Sequence, residues 1–450
     1  MRISVTTSSS VFIVCFTSRL EVNVLSQWHY FVILLCFNML NDDRGYPSYS
    51  GDFEFEVNPE LSVHVESNSL RGAVDEKPKI LLLGLPSSGK SSIQRVVFHK
   101  MAPTDTLFLE STHKIEKNDV SDCSFIKFQI WDVPGHFNIC DPTYQTDAIF
   151  LASSAIIFVI DAQDDYHEAL SRLHTTLDRA FRCNVNTKFE VFIHKVDCLN
   201  DDQKIDIQRD ITQRVMSAVE DWCCDHAAPN LYIGFHLTTI YDHSIFEAFS
   251  KVVQRLIPCL YAYEELLDIF ITNSMVDKAF LFDVASKIYL ATDSSVVDMQ
   301  TYELCCDMID VVVDVASIYT PHLDLIDPPF SEQTGATIML NNDTILYLRG
   351  INQYMALACL MHEESMEKMG LIEYNFQIIK EGLQKMLEVS QQRAQNEHAT
   401  VLAQYYHSQQ QHAQTISHTM DPGELSDVAC ENDENQLLSN STKCHFGQFN

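Results

Sequence analysis

Two patterned stretches of apolar and polar positions lie between unpatterned ends. From Pro78, apolar runs of strand length alternate with stretches whose apolar residues recur at helical spacing. Lys79–Gly84, Phe125–Asp132, Ala155–Asp161, Phe189–Asp197 and Leu231–Thr238 read as strands. Helices are predicted over Gly89–Met101, His167–Cys183, Lys204–Cys224 and Ser244–Leu256. The strands are nearly continuous in apolar residues, which suits a mostly parallel sheet covered by helices on both faces. Pro258 closes this unit.

A second unit begins near Tyr261 and is ordered differently. "YEELLDIFITNSMV" is helical in period, and "KAFLFDVASKIYLATD" is rich in strand formers. "YELCCDMIDVVVDVASIY" has the apolar spacing of a helix, although its valines would suit a strand. "ATIMLNNDTILYLRG" predicts a hairpin about Asn341, Asn342 and Asp343. "YNFQIIKEGLQKMLEVSQQRA" predicts a closing amphipathic helix. Grouped helices and strands imply an α+β domain. The expected organisation is therefore an α/β domain over 78–260, an α+β domain over 261–390, and disordered flanks. The flank over 1–77 is variable, and that over 391–450 is rich in Gln and His.

Val11–Phe16 and Trp28–Leu40 are apolar, but neither run reaches the about 20 residues a membrane span requires. Little positive charge precedes the first run, and no small-residue cleavage pattern follows it. The segment reads as dispensable or as a gene-model extension, with Met39 as an alternative start. The Met-Arg start and the distance of Cys444 from the end offer no lipidation signal. Direct membrane insertion is not expected.

Composition narrows the function. The 450 residues include 62 acidic and 30 basic side chains, a net charge of −32. Non-specific nucleic-acid binding needs a positive face, so no nucleic-acid partner is expected. The 14 cysteines are scattered and form no C-x-x-C pair. They read as reduced packing residues of a cytoplasmic chain, not as zinc ligands.

The sharpest chemistry lies in "GLPSSGKSS", Gly84 to Ser92, which fits G-x-x-x-x-G-K-[ST] between a strand and a helix. Glycines at Gly84 and Gly89 let backbone N–H groups of Ser87, Ser88 and their neighbours close around a polyphosphate. Lys90 would pair with the β- and γ-phosphates, and Ser91, followed by Ser92, would place its hydroxyl on Mg²⁺. Pro86 has no N–H to donate. "HKVD", His194 to Asp197, ends a strand at the carboxyl edge where such sheets bind ligands. The Asp197 carboxylate can accept the N1–H and 2-amino groups of guanine, a donor pair adenine lacks. Lys195 would lie along the base. In "DVPG", Asp132 would hold Mg²⁺ through water and the Gly135 amide would meet the γ-phosphate. In "TDTLFLEST" (Thr104 to Thr112) a threonine could close on the metal, and Thr112 is the choice, with Thr106 expected at the nucleotide. In "TTIYD", backbone groups of Thr239 and Ile240 would support the base.

These motifs resemble the Ras-related superfamily, and the wording around them resembles the Rag GTPases of the RagC/RagD type, Gtr2-like in fungi. "GKSSIQRVVFHKM", "TLFLEST", "FQIWDVPG", "VIDAQDDY", "FEVFIHKVD" and "IYDHSIFEAFSKVVQRLIP" carry the likeness. It continues through "KAFLFDVASKIYLATDSSVVDMQTYELCCDMIDVV", so that it spans Pro78 to Ser390. The resemblance implies a Ras-like P-loop GTPase domain with a mostly parallel six-stranded sheet, followed by a roadblock or longin-like domain. It implies an obligate heterodimer with a RagA/RagB-type GTPase, recruitment by a Ragulator-type scaffold, and amino-acid signalling to the target-of-rapamycin complex at the lysosome. In that branch the GDP-bound form is the signalling-active state. His194 stands where the N-K-x-D signature has asparagine. Pro86 and Ser87 stand where the branch is usually basic, and His136 stands where a glutamine is expected.

The reaction expected is in-line attack of water on the γ-phosphorus of GTP, with Lys90, Thr112 and His136 as catalytic groups and Mg²⁺ and GTP or GDP as ligands. No arginine occurs between Lys100 and Asp161, so a GTPase-activating protein is expected to supply one. Two other classes compete with this switch. A nucleotide-stabilised scaffold with negligible hydrolysis would suit His136 and Pro86, and a P-loop ATPase of another class is disfavoured by Asp197.

Overall fold

The computed structural model describes residues 2–6, 77–120, 128–137, 146–226, 231–257, 259–319, 330–340 and 342–388. The first strand is β1 (Arg2–Thr6). One six-stranded sheet is then built from β2 (Lys79–Gly84), β3 (Glu116–Asp119), β4 (Gln129–Asp132), β5 (Ala155–Asp161), β6 (Lys188–His194) and β7 (Ile233–Thr238). Its order is β3-β4-β2-β5-β6-β7, parallel throughout except for the antiparallel β3–β4 pair. The helices that accompany it are α1 (Lys90–His99), α2 (Thr146–Leu151), α3 (His167–Cys183), α4 (Asp201–His226) and α5 (Ser244–Gln254).

The strand pattern follows from two buried faces. In β5, Ile156, Phe158 and Ile160 pack with Leu170, Leu173 and Leu177 of α3. Ala155, Ile157 and Val159 pack into the opposite core with Ile93 of α1 and Phe249 of α5. Neither face meets water, so no polar alternation appears in the sequence. Each buried Ile, Leu, Val or Phe here contributes roughly 1.5–3 kcal/mol of hydrophobic stabilisation. Within β6 the fully buried Glu190 is an exception, as is His194 at its end. An ion pair to Arg255 neutralises Glu190, His236 Nε2 lies 3.0 Å from the carboxylate, and Gly234 opposite leaves room for it.

The second sheet contains β8 (Lys278–Asp283), β9 (Tyr289–Thr292), β10 (Gly335–Met339), β11 (Thr344–Gly350) and β12 (Met355–His362), and is wholly antiparallel. Helices α6 (Leu260–Ser274), α7 (Met299–Tyr319) and α8 (369–388) belong to the same half of the chain. In α7 the valine-rich run is helical because Tyr302, Ile309, Val312 and Ala316 form one buried stripe, which outweighs their strand propensity. The expected hairpin is β10–β11. Helix α5 joins the halves: Ser250 Oγ accepts the Tyr289 amide at 3.1 Å, and Gln254 Nε2 donates to the Tyr289 carbonyl at 3.3 Å.

Several elements differ from expectation. β3 is too polar to read as a strand and forms because β4 offers it an edge. α2 and β12 also went unpredicted. The strand expected over Phe125–Asp132 is described from Gln129, and 121–127 lie outside the described residues. The strand expected to reach Asp197 stops at His194 because Lys195 adopts the left-handed conformation, φ 63°. Arg2–Thr6, within the segment expected to be disordered, pairs antiparallel with the β10 edge, Ile3 opposite Ile338. The rest of 1–76, Pro258, Asn341 and 391–450 lie outside the described residues. Among the described residues no helix is long and apolar enough to cross a membrane.

Candidate functional site

The loop from β2 to α1 is shaped by its backbone conformations. Gly89 caps α1 at φ 98°, and Ser87 is also left-handed at φ 61°. A Cβ on Gly89 would lie 2.7 Å from the His194 ring, so only glycine fits here. The N-terminus of α1 faces a cleft of about 590 Å³ lined by Pro86, Ser87, Gly89, Lys90, Ser91 and Ser92, among others. Free N–H groups and the helix dipole make that end attractive to phosphate. Lys90 arches back over the loop, donating to the carbonyls of Leu85 at 2.7 Å and Gly84 at 3.1 Å. Burial lowers its pKa to about 8, against the opposing charge of Asp132.

Beside Lys90, three oxygens from separate elements converge. Ser91 Oγ and Thr112 Oγ1 are 2.8 Å apart, Thr112 Oγ1 is 3.3 Å from Asp132 Oδ2, and Ser91 donates to the same carboxylate oxygen. Asp132 is fully buried at the end of β4, and its Oδ1 has no hydrogen-bond partner among the described residues. Burial raises its pKa, outweighing the hydrogen bonds and the Lys90 charge. A buried, under-satisfied carboxylate with two hydroxyls is a donor set suited to a hard divalent cation. Gly135 follows at close quarters: a Cβ there would lie 2.4 Å from Pro86 N, so the two loops touch backbone to backbone. His136 is exposed and lines the cleft.

At the far end of the cleft stands Asp197, which accepts Thr239 Oγ1 at 3.0 Å. Burial would raise its pKa, but hydrogen bonds from its own amide, Cys198 and Thr239 outweigh this and lower it. Lys195 Nζ donates to the Ser87 carbonyl at 2.8 Å and to Asp161 at 2.6 Å, tying the base end to the phosphate end. His194 Nδ1 lies 3.0 Å from Thr238 Oγ1, and burial lowers its pKa to about 4, so it is neutral near pH 7.

The sequence that builds this cleft is similar to that of known proteins. A family profile, the Gtr1/RagA G protein conserved region, matches residues 79–309. Ras-related GTP-binding protein C of Mus musculus is 57% identical over 318 residues, 71% of this chain and 79% of that protein. Ras-related GTP-binding protein D of Mus musculus is 56% identical over 317 residues, 70% of each chain. The GTP-binding protein gtr2 of Schizosaccharomyces pombe is 53% identical over 311 residues, 68% of this chain and 97% of that one. The chain belongs to the Rag GTPase family. It falls on the RagC/RagD, Gtr2-like branch, since Ras-related GTP-binding protein A of Dictyostelium discoideum is only 26% identical over 218 residues, 48% of this chain and 69% of that one. As a Rag GTPase it binds guanine nucleotides and hydrolyses GTP.

Most residues expected at the Rag nucleotide site line the one cleft: Ser87, Gly89, Lys90, Ser91, Ser92, Thr106, Thr112, Gly135, His136, His194, Lys195, Asp197, Thr239 and Ile240. Gly84, Ser88 and Asp132 are buried behind it. Thr106 lines the cleft, but its hydroxyl donates to the Pro103 carbonyl at 2.7 Å within a 3-10 turn. Of the two threonines, only Thr112 joins Ser91 and Asp132. The Thr239 amide donates to Ser244 Oγ at 3.0 Å, and its hydroxyl donates to Asp197. Asp161, Gln163 and Tyr241 were missed. Gln163 Nε2 donates to the Lys195 carbonyl at 2.8 Å, and Asp161 anchors the Lys195 ammonium. Their signal was positional: Asp161 ends an otherwise apolar strand and Gln163 follows it, at the carboxyl edge where such sheets bind ligands.

Proposed function

We propose that this chain is the RagC/RagD-type subunit of a heterodimer with a RagA/RagB-type GTPase. In this reading its nucleotide state relays amino-acid availability to the target-of-rapamycin complex, at the lysosomal surface. A Ragulator-type scaffold would hold the pair there, and the second, antiparallel half would be a roadblock-like dimerisation domain. The observation that carries the switch is the meeting of Thr112, Ser91 and Asp132. Thr112 lies between α1 and β3, and its hydroxyl meets Ser91 and Asp132 where the cation and γ-phosphate would sit, so their presence or loss would change what holds this segment.

Ser91, Thr112 and Asp132 are the residues that would hold Mg²⁺, directly or through water, and the ion would neutralise charge on the β- and γ-phosphates. Lys90 exchanges its loop carbonyls for phosphate oxygens. The Gly135 amide stands beside the γ-phosphate position, and His136 reaches toward the attacking water. An arginine from a GTPase-activating protein completes the charge neutralisation. His136 and Pro86 favour a second reading, a scaffold subunit whose hydrolysis is too slow to cycle.

Co-expression with a RagA/RagB-type chain tests the first reading. The expected outcome is a 1:1 complex that co-purifies with guanine nucleotide on both subunits. A chain that remains alone at micromolar concentration would sink it. Single-turnover hydrolysis with and without an activating protein separates switch from scaffold.

A further inference from the structure

Arg172 on α3 carries a half-buried guanidinium that forms no ion pair among the described residues. Its Nη2 donates instead to the carbonyl of Phe137. Burial lowers its pKa, only partly offset by the Glu168 carboxylate one turn away, and it lies near enough to Lys90 for the two like charges to interact. A cation held in such a place at this cost calls for a function. Phe137 ends a tight turn, its amide bonded to the Pro134 carbonyl at 2.9 Å, with Gly135 and His136 at the centre. The turn is gripped at three points. Gly135 abuts Pro86, the Phe137 side chain is buried in the core with Leu83 and Phe158, and the Phe137 carbonyl meets Arg172. Between these grips His136 projects into the nucleotide cleft.

We infer that Arg172 is a positioning residue for GTP hydrolysis: it holds the Phe137 carbonyl and so fixes the turn that aims His136 into the cleft. A guanidinium–carbonyl bond is charge-assisted and directional, which suits this task better than packing alone. Arg172 does not line the cleft, so its main effect is on rate through the turn, and it touches nucleotide affinity only weakly, through the Lys90 charge. The inference rests on the reading of His136 as the residue that meets the attacking water.

The test uses the full chain with Arg172→Gln, Arg172→Lys, His136→Ala and the Arg172→Gln/His136→Ala double variant. Thr176→Val is the control, since Thr176 bonds the backbone carbonyl of Arg172 and lines the same small cavity. Arg172→Gln is expected to slow single-turnover hydrolysis about tenfold with GTP affinity within about threefold. Amide hydrogen exchange should accelerate at His136 and Phe137. Arg172→Lys should recover most of the rate, and Thr176→Val should match the parent. In the His136→Ala background, Arg172→Gln should have no further effect. Equal slowing in both backgrounds, or unchanged exchange at the turn, would overturn the inference. A His136→Ala protein with the parent rate sinks the His136 reading and the inference together. Failure of Arg172 alone shows as a normal rate in Arg172→Gln beside a slowed His136→Ala.

Discussion

The ring of His194 occupies the space that a side chain on Gly89 would take, with His194 Cδ2 2.7 Å from the position of a Cβ there. The base-recognition strand therefore presses on the phosphate loop at the cap of α1. Thr238 holds the ring from the other side at 3.0 Å. An asparagine, the usual residue at this position of the motif, would make a smaller contact and carries no titratable proton.

That difference predicts a pH dependence. Burial lowers the His194 pKa from 6.5 to about 4. As pH falls below 6.5 the unfolded chain binds this proton before the folded one does, so stability is lost between about pH 6.5 and 4 and is fully present above. The loss at pH 5 is on the order of 2 kcal/mol. His194→Asn should remove this part of the acid sensitivity. Thermal melts at pH 7, 6 and 5 check it, and parallel falls in Tm for both proteins would show that His194 does not contribute.

Legibility in the sequence followed burial. β5 and β6 were visible because both faces of each strand are apolar, and the phosphate loop because its spacing is set by backbone closeness to phosphate. β3 was invisible because Glu116–Asp119 is a polar edge whose strand geometry comes from β4. Arg172 was invisible for another reason: its partner is a carbonyl that only the tertiary fold brings near. The divide between Thr106 and Thr112 was equally beyond sequence, since it depends on which hydroxyl the loop turns inward.

Lys90 gives a second pH effect of opposite sense. Its pKa in this pocket is about 8, and bound phosphate would raise it. GTP affinity should therefore be level below pH 8 and fall above it, by about tenfold between pH 7 and pH 9. Binding at pH 8.5 should take up a proton, measurable by calorimetry in buffers of different ionisation enthalpy. Level affinity through pH 9 would mean that Lys90 stays charged throughout.

Asp197 is placed for base selection, with Thr239 steadying one oxygen and the cleft open before the carboxylate. Asp197→Asn replaces an acceptor by a group that also donates. It should weaken GTP binding by about 100-fold or more and shift preference toward xanthosine triphosphate. Undiminished GTP affinity in a competition assay would remove Asp197 from the base site.

His136 decides how fast the switch turns over unaided. It is exposed at the cleft wall on a turn held by Gly135 and Phe137, so its ring is available to a water near the γ-phosphate. A neutral imidazole offers that water one nitrogen, as donor or as acceptor. A glutamine offers a carbonyl and an amide together, accepting from the water while donating to a phosphate oxygen. His136→Gln should therefore speed intrinsic single-turnover hydrolysis, by about tenfold, with GTP affinity unchanged because no loop contact is lost. Pro86 stays in place in that variant, so its effect is held constant. The indole of Trp131 sits beside Asp132 under the Lys117 ammonium, 4.1 Å from the ring centroid, and its fluorescence provides a time course within one turnover. An unchanged rate would make His136 a bystander and shift the rate-limiting deficit to the absent arginine, which no residue between Lys100 and Asp161 can supply.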